Sequence, residues 1–75
     1  MKRIRLTDAN DPRFARAWRL YKAAFPPDER RRLSSQRRIL HRQIYHFDIV
    51  MDNKLFIGIL LWWEFENVRY IEHLA

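Results

Sequence analysis

His41, His46 and His73 are the side chains best suited to move a proton or hold a metal ion, and no two of them stand at a recognised ligand spacing. The metal reading is therefore poor. No cysteine is present, which removes disulfide and thiolate chemistry. Gly58 is the one glycine, so no Gly-rich loop is available to cradle a phosphate. The chain carries 15 Lys and Arg against 9 Asp and Glu, a net charge of +6. Residues 1–42 hold 13 of the cations and four of the acids, and residues 43–75 are acidic on balance. A basic half invites a nucleic-acid reading. A solvated, Arg-rich helical face is the plainer one. The same choice applies to the run Glu29-Arg30-Arg31. Trp62 and Trp63 have the look of a binding platform, but tryptophans of a central strand are usually core.

The elements that must position these groups follow from periodicity. Residues 3–7 alternate polar and apolar, as a short edge strand does. Asp11 and Pro12 read as the start of a helix over 11–25, with Phe14, Ala17, Trp18, Tyr21, Ala24 and Phe25 on one stripe. Pro26-Pro27 ends it. Ser34 or Ser35 is expected to cap a second helix over 34–44, whose stripe (Leu33, Ile39, Leu40, Ile44) is thin. From Tyr45 the period becomes two. Strands are expected over 45–51, 55–65 and 68–75, turning at Asp52-Asn53-Lys54 and Glu66-Asn67. The register that pairs Glu64 with Arg69 and Trp63 with Tyr70 sets a charge pair and an aromatic pair opposite each other. The class is α+β: strand, helix, helix, then a three-stranded antiparallel meander.

The middle strand of that meander is apolar on both faces, yet both helices precede it and can cover only one. The other face and the last strand's edge are expected to be open at Ala75. Self-association, a complementing chain or a longer chain would supply the cover. The longest apolar run, Leu55 to Trp63, is far short of the roughly 20 residues of a membrane helix. No signal peptide is read at the start. The expected location is the cytoplasm.

The order of elements, together with Leu20-Tyr21-Lys22-Ala23-Ala24-Phe25-Pro26, Asp28-Glu29-Arg30-Arg31 and Tyr70-Ile71-Glu72-His73-Leu74-Ala75, resembles the GNAT superfamily of acetyl-CoA-dependent N-acyltransferases. The resemblance covers all of the chain but only the N-terminal half of that fold, to the end of strand four. The cofactor-binding half is read as absent. The resemblance implies acetyl transfer to a primary amine. Backbone groups of Leu74 and Ala75 would meet the acetyl-pantetheine arm, and Glu72 would be the general base. Glu29, Arg30 and Arg31 would border the acceptor. Strict alternation puts Glu72 on the face of Tyr70 and Leu74, with His73 opposite as a packed or exposed residue. The family's glycine-bearing pyrophosphate loop has no counterpart here, so the 75 residues are expected neither to bind acetyl-CoA tightly nor to act alone. The alternatives are a small basic nucleic-acid-binding module, binding weakly and without sequence preference, and a structural fragment that needs a partner chain.

Overall fold

The computed structural model describes residues Met1–Ala75. Strand β1 (Lys2–Leu6) leads to helix α1 (Phe14–Ala24), a 3₁₀ turn (Pro27–Glu29) and helix α2 (Leu33–Ile39). Strands β2 (Tyr45–Asp52), β3 (Leu55–Phe65) and β4 (Val68–Leu74) follow. They form one antiparallel sheet in the order β1-β2-β3-β4, so only β4 and β1 have free edges.

The stripe of α1 is buried at Phe14, Ala17, Trp18 and Tyr21. It meets Phe47 and Ile49 of β2 and Ile59 and Leu61 of β3 in a single core that also holds Leu6, Leu40 and Tyr45. Helix α1 thus covers one face of β3, with Phe25 half-buried at its end. The helix begins at Phe14 and not at Asp11. Asp11 instead makes a turn ahead of it: its Oδ1 accepts from the Arg13 amide at 2.9 Å, and its carbonyl from the Phe14 amide at 2.9 Å. Phe25 is extended (φ −125°, ψ 135°), as a residue before proline should be, and the helix stops there.

Helix α2 is shorter than its expected 34–44 span and is not capped by serine. Arg32 occupies the N-cap position without a side-chain bond, and Ser34 and Ser35 fall inside the first turn. Successive turns replace the second half of the expected helix, through Arg42 N–H to Ile39 C=O and Tyr45 N–H to Arg42 C=O. The Arg5 guanidinium holds the segment that follows. One of its nitrogens donates to the carbonyls of Arg42, Gln43 and Tyr45 at 3.2, 2.8 and 2.7 Å. A helix ending at Ile44 would leave these last carbonyls without intrahelical partners in any case, and Arg5 satisfies them from β1.

The two hairpin turns fall where the sequence put them. Asn53 takes the left-handed conformation (φ 57°) that asparagine tolerates, and Glu66-Asn67 joins β3 to β4 with negative φ. Trp63 faces Tyr70 and Glu64 faces Arg69, as the register predicts.

Two irregularities break strict alternation. In β3, Gly58 pairs with Val50 and Phe56 with Met51, which leaves Ile57 without a partner. The extra residue turns Phe56 toward the helices and exposes Ile57. In β4, His73 pairs with Leu61 and Ile71 with Trp62, which leaves Glu72 as the extra residue.

Candidate functional site

The bulge at Glu72 decides what β4 presents. Alternation alone sets His73 opposite Glu72 and Leu74 beside it, and the structure reverses both relations. With Glu72 inserted, Tyr70, Glu72 and His73 share the helix-covered side, and Ile71 and Leu74 point to the other. Glu72 and His73 therefore meet the connection between α1 and α2, and with Phe25, Glu29 and Tyr70 they line a cleft of about 430 Å³.

Glu72 is held by Arg31. Both carboxylate oxygens accept from one guanidinium nitrogen at 2.6 Å, and about four-fifths of each side chain is shielded from solvent. The same guanidinium reaches Gln36 Oε1 at 3.2 Å and Tyr45 Oη at 3.4 Å through its other terminal nitrogen. Gln36 Nε2 donates to Tyr45 Oη at 2.8 Å, and the Arg31 amide donates to Tyr21 Oη at 2.7 Å. One residue of the connection thus ties α1, α2, β2 and β4 together. Burial works against the charge of Arg31, but the Glu72 hydrogen bonds outweigh it and raise the guanidinium above its ordinary value. Burial also pushes the Tyr45 phenol up, against the opposing pull of Gln36 and Arg31.

Of the two expected states of His73, packed or exposed, the structure has it packed, on the same face as Glu72. Its ring stands edge-on to Tyr21 and Phe25, with centroids 5.0 and 4.5 Å away. Nε2 donates to the Glu29 carbonyl at 3.0 Å, a second tie between β4 and the connection. Nδ1 is buried without a hydrogen bond, 3.4 Å from Glu72 Oε1. That contact becomes an ion pair when the ring is protonated.

The remaining expected site residues separate. Arg31 pairs its charge with Glu72. Glu29 reaches the cleft, and Arg30 lines a second groove on the α1 side of the connection. Ala75 exchanges both backbone bonds with Ile59, at 2.8 and 3.1 Å. The next pair, Leu60 with Leu74, is then the non-hydrogen-bonded kind, so the Leu74 N–H and C=O point to the open edge of β4. Gly58 makes this ending fit. A Cβ there would lie 2.5 Å from the Ala75 carbonyl oxygen.

Sequence reasoning missed Gln36, Tyr45 and Tyr21 as partners in the network. One signal was available. Gln36 lies three residues after Leu33 and four before Leu40, on the apolar stripe of α2, and a glutamine there needs buried partners.

No family profile and no curated protein matches the sequence. A solved structure from Bacteroides thetaiotaomicron, described as a candidate acetyltransferase of the GNAT family, matches it with a TM-score of 0.91 at 29% identity. The match covers 100% of this chain and 43% of that one. The resemblance to the GNAT superfamily is borne out: the chain has the α+β architecture of the N-terminal part of that fold. It spans less than half the length of the relative it matches.

Proposed function

We propose that this chain forms the front part of an acyltransferase site at which an acetyl group passes from acetyl-CoA to a primary amine. The match of this whole chain to 43% of a GNAT-family structure carries the reading. The open edge at Leu74, beside a bulge that brings Glu72 into a cleft, supports it.

The residues present fit one portion of the cofactor. A strand edge with a free N–H and C=O, as at Leu74, suits the amide-bearing pantetheine arm. Ala75 has committed its own groups to Ile59, so the Leu74 C=O is the proposed backbone contact to the arm. The pyrophosphate has no counterpart in these 75 residues, since converging amides need a glycine-bearing turn and Gly58 lies inside β3. When bound, acetyl-CoA would supply the thioester, whose C–S bond breaks as the amide forms, with the CoA thiol as leaving group. The acceptor amine must shed a proton to attack, and Glu72 is the proposed receiver. A carboxylate has about four acceptor positions, so lone pairs remain on Glu72 beside those used by Arg31. Arg31 fixes its direction. The Leu74 N–H is the proposed donor to the oxygen that gains charge. A cytoplasmic location belongs to the same proposal. The structure contributes only that no helix is long and apolar enough to cross a membrane.

The test is calorimetry with acetyl-CoA at physiological salt, on this chain alone and on a chimera in which it replaces the matching segment of the Bacteroides protein. The chain alone is expected to show no saturable micromolar binding. A few strand-edge hydrogen bonds at about 1 kcal/mol each fall short of the roughly 8 kcal/mol that micromolar affinity requires. The chimera is expected to bind and to acetylate amines. In it, Glu72→Gln should lower turnover about 10²–10⁴-fold and flatten the rise of rate with pH. A folded chimera that binds no acetyl-CoA, where the unaltered relative does, overturns the proposal.

A further inference from the structure

The groove on the α1 side of the connection is lined by Trp18, Lys22, Pro27, Arg30, Arg31, Arg32 and Leu33 and encloses about 410 Å³. Four of these residues are cations and none is an acid. The charge of Arg31 is paired with Glu72. Lys22, Arg30 and Arg32 have no carboxylate within ion-pair distance and lie over no aromatic ring. The other cation-bearing depressions differ in this respect. Arg13 is paired with Asp11, Arg16 covers Phe56, and Arg3 and Arg69 both cover Trp62. Three uncompensated cations around one concavity repel one another, and a bound anion relieves that repulsion.

The backbone that carries two of these cations is anchored. Arg30 (φ −100°, ψ 145°) and Arg32 (φ −66°, ψ 150°) are extended, so their side chains leave the connection on the same side while Arg31 points to the sheet. The segment between them is anchored at Arg31 by the Tyr21 hydroxyl at 2.7 Å and by Glu72 at 2.6 Å. Paired guanidinium groups on a fixed backbone match the geometry of a carboxylate or a phosphate. The Debye length at physiological salt is about 8 Å, so a ligand must touch these groups to profit from them.

We infer that this groove is an oxyanion site, formed by Lys22, Arg30 and Arg32, that takes a phosphate or carboxylate group. Resting on the acyl-transfer reading, the acceptor is then an amine that also carries such a group. The Arg31–Glu72 pair joins the two halves of that recognition, because Arg31 lines this groove and Glu72 lines the cleft proposed for the amine.

The experiment needs no acetyl-CoA, so its failure is separate from failure of the acyl-transfer reading. Backbone amide shifts of the full chain are followed by NMR during titration with inorganic phosphate and, separately, with succinate, at constant physiological ionic strength. Saturable shifts confined to residues 30–33 and the neighbourhood of Lys22 are expected. Binding should weaken about tenfold or more in the double variant Arg30→Gln/Arg32→Gln. It should persist in Arg37→Gln/Arg38→Gln, which removes the same charge from the exposed face of α2. Spectra outside the groove report whether each variant is folded. Response to phosphate alone, or to succinate alone, upholds the site and names its ligand. Equal weakening in both variants, shifts spread over every basic surface, or no saturation with either probe overturns it.

Discussion

Ile59 and Leu61 of β3 are fully buried beneath α1, while Leu60 and Trp62 beside them face outward, next to Ile71 and Leu74, which expose 60% and 67% of their surface. The two faces of the sheet are held by different forces. The covered face buries whole side chains, at about 1.5–3 kcal/mol for each large one. The open face is held by polar and cation–ring contacts centred on Trp62. The indole N–H donates to the buried Asp48 at 2.8 Å, His46 stacks at 3.8 Å, and Arg3 and Arg69 sit 5.8 and 6.0 Å from the ring. Exposed contacts of the cation–ring kind contribute about 0.5–1 kcal/mol each. A strand apolar on both sides does not guarantee a strand covered on both sides, and stability here concentrates on one face.

The sharpest test of that contrast is a pair of truncations. Leu61→Ala should cost about 2–5 kcal/mol, since it leaves a cavity between α1 and the sheet. Leu74→Ala should stay within about 0.5 kcal/mol, as surface changes usually do. Urea denaturation of both variants measures the difference, and equal costs would remove the asymmetry.

A second test compares the polar supports of the two faces. Arg31→Met should cost about 2–4 kcal/mol, because it leaves Glu72 and Gln36 shielded and without their partner. Arg3→Met, which loosens a 3.8 Å contact with Asp48 from an exposed position, should cost about 1 kcal/mol or less. A double-mutant cycle of Arg31→Met with Glu72→Gln should show strong coupling; additive losses would mean that the pair does not join β4 to the connection.

The open face should also govern association, which we propose for the isolated chain. Sedimentation at high micromolar concentration is expected to show oligomers, and Ile71→Lys/Leu74→Lys should shift them to monomer with little change in stability. A wild-type monomer at those concentrations would show that Trp62 and its cations shield the face well enough.

The smallest effect lies away from both faces, in the turn before α1. The Arg13 side chain and amide hold the Asp11 carboxyl down at about 2, from 3.8. A depressed carboxyl stabilises the fold above its unfolded value and loses that contribution as pH falls from about 3.8 toward 2. Arg13 is exposed, so Asp11→Asn should cost about 1 kcal/mol or less at pH 7. The gap between variant and wild type should close by about pH 2 in denaturant titrations.

Much of this was legible in the order of residue types. Periods of 3.6 and two separate α1 from the meander, and the prolines at 26 and 27 stop the helix where the structure stops it. Strand β3 lies at its expected limits because its apolar run is bounded by turn residues on both sides. Local patterns of this kind survive because they act through neighbouring residues alone. The hold of Arg5 on the segment after α2 was not legible, since it joins Arg5 to a carbonyl 37 residues later.

The candidate site shows the same division at finer scale. The sequence alone determined that β4 carries Glu72 and His73, that a basic connection precedes it, and that no glycine lies near its end. Only the tertiary structure decided where those groups point. One inserted residue at Glu72 reverses the facing of His73 and Leu74, and a bulge leaves no mark in an alternating pattern of apolar residues. Arg31 reads as one of three equivalent arginines until the connection lies against β4. Then a single guanidinium is within 2.6 Å of Glu72, while its neighbours Arg30 and Arg32 are left facing the groove. Long-range pairing selects among side chains that are chemically identical along the chain, and composition and spacing cannot make that selection.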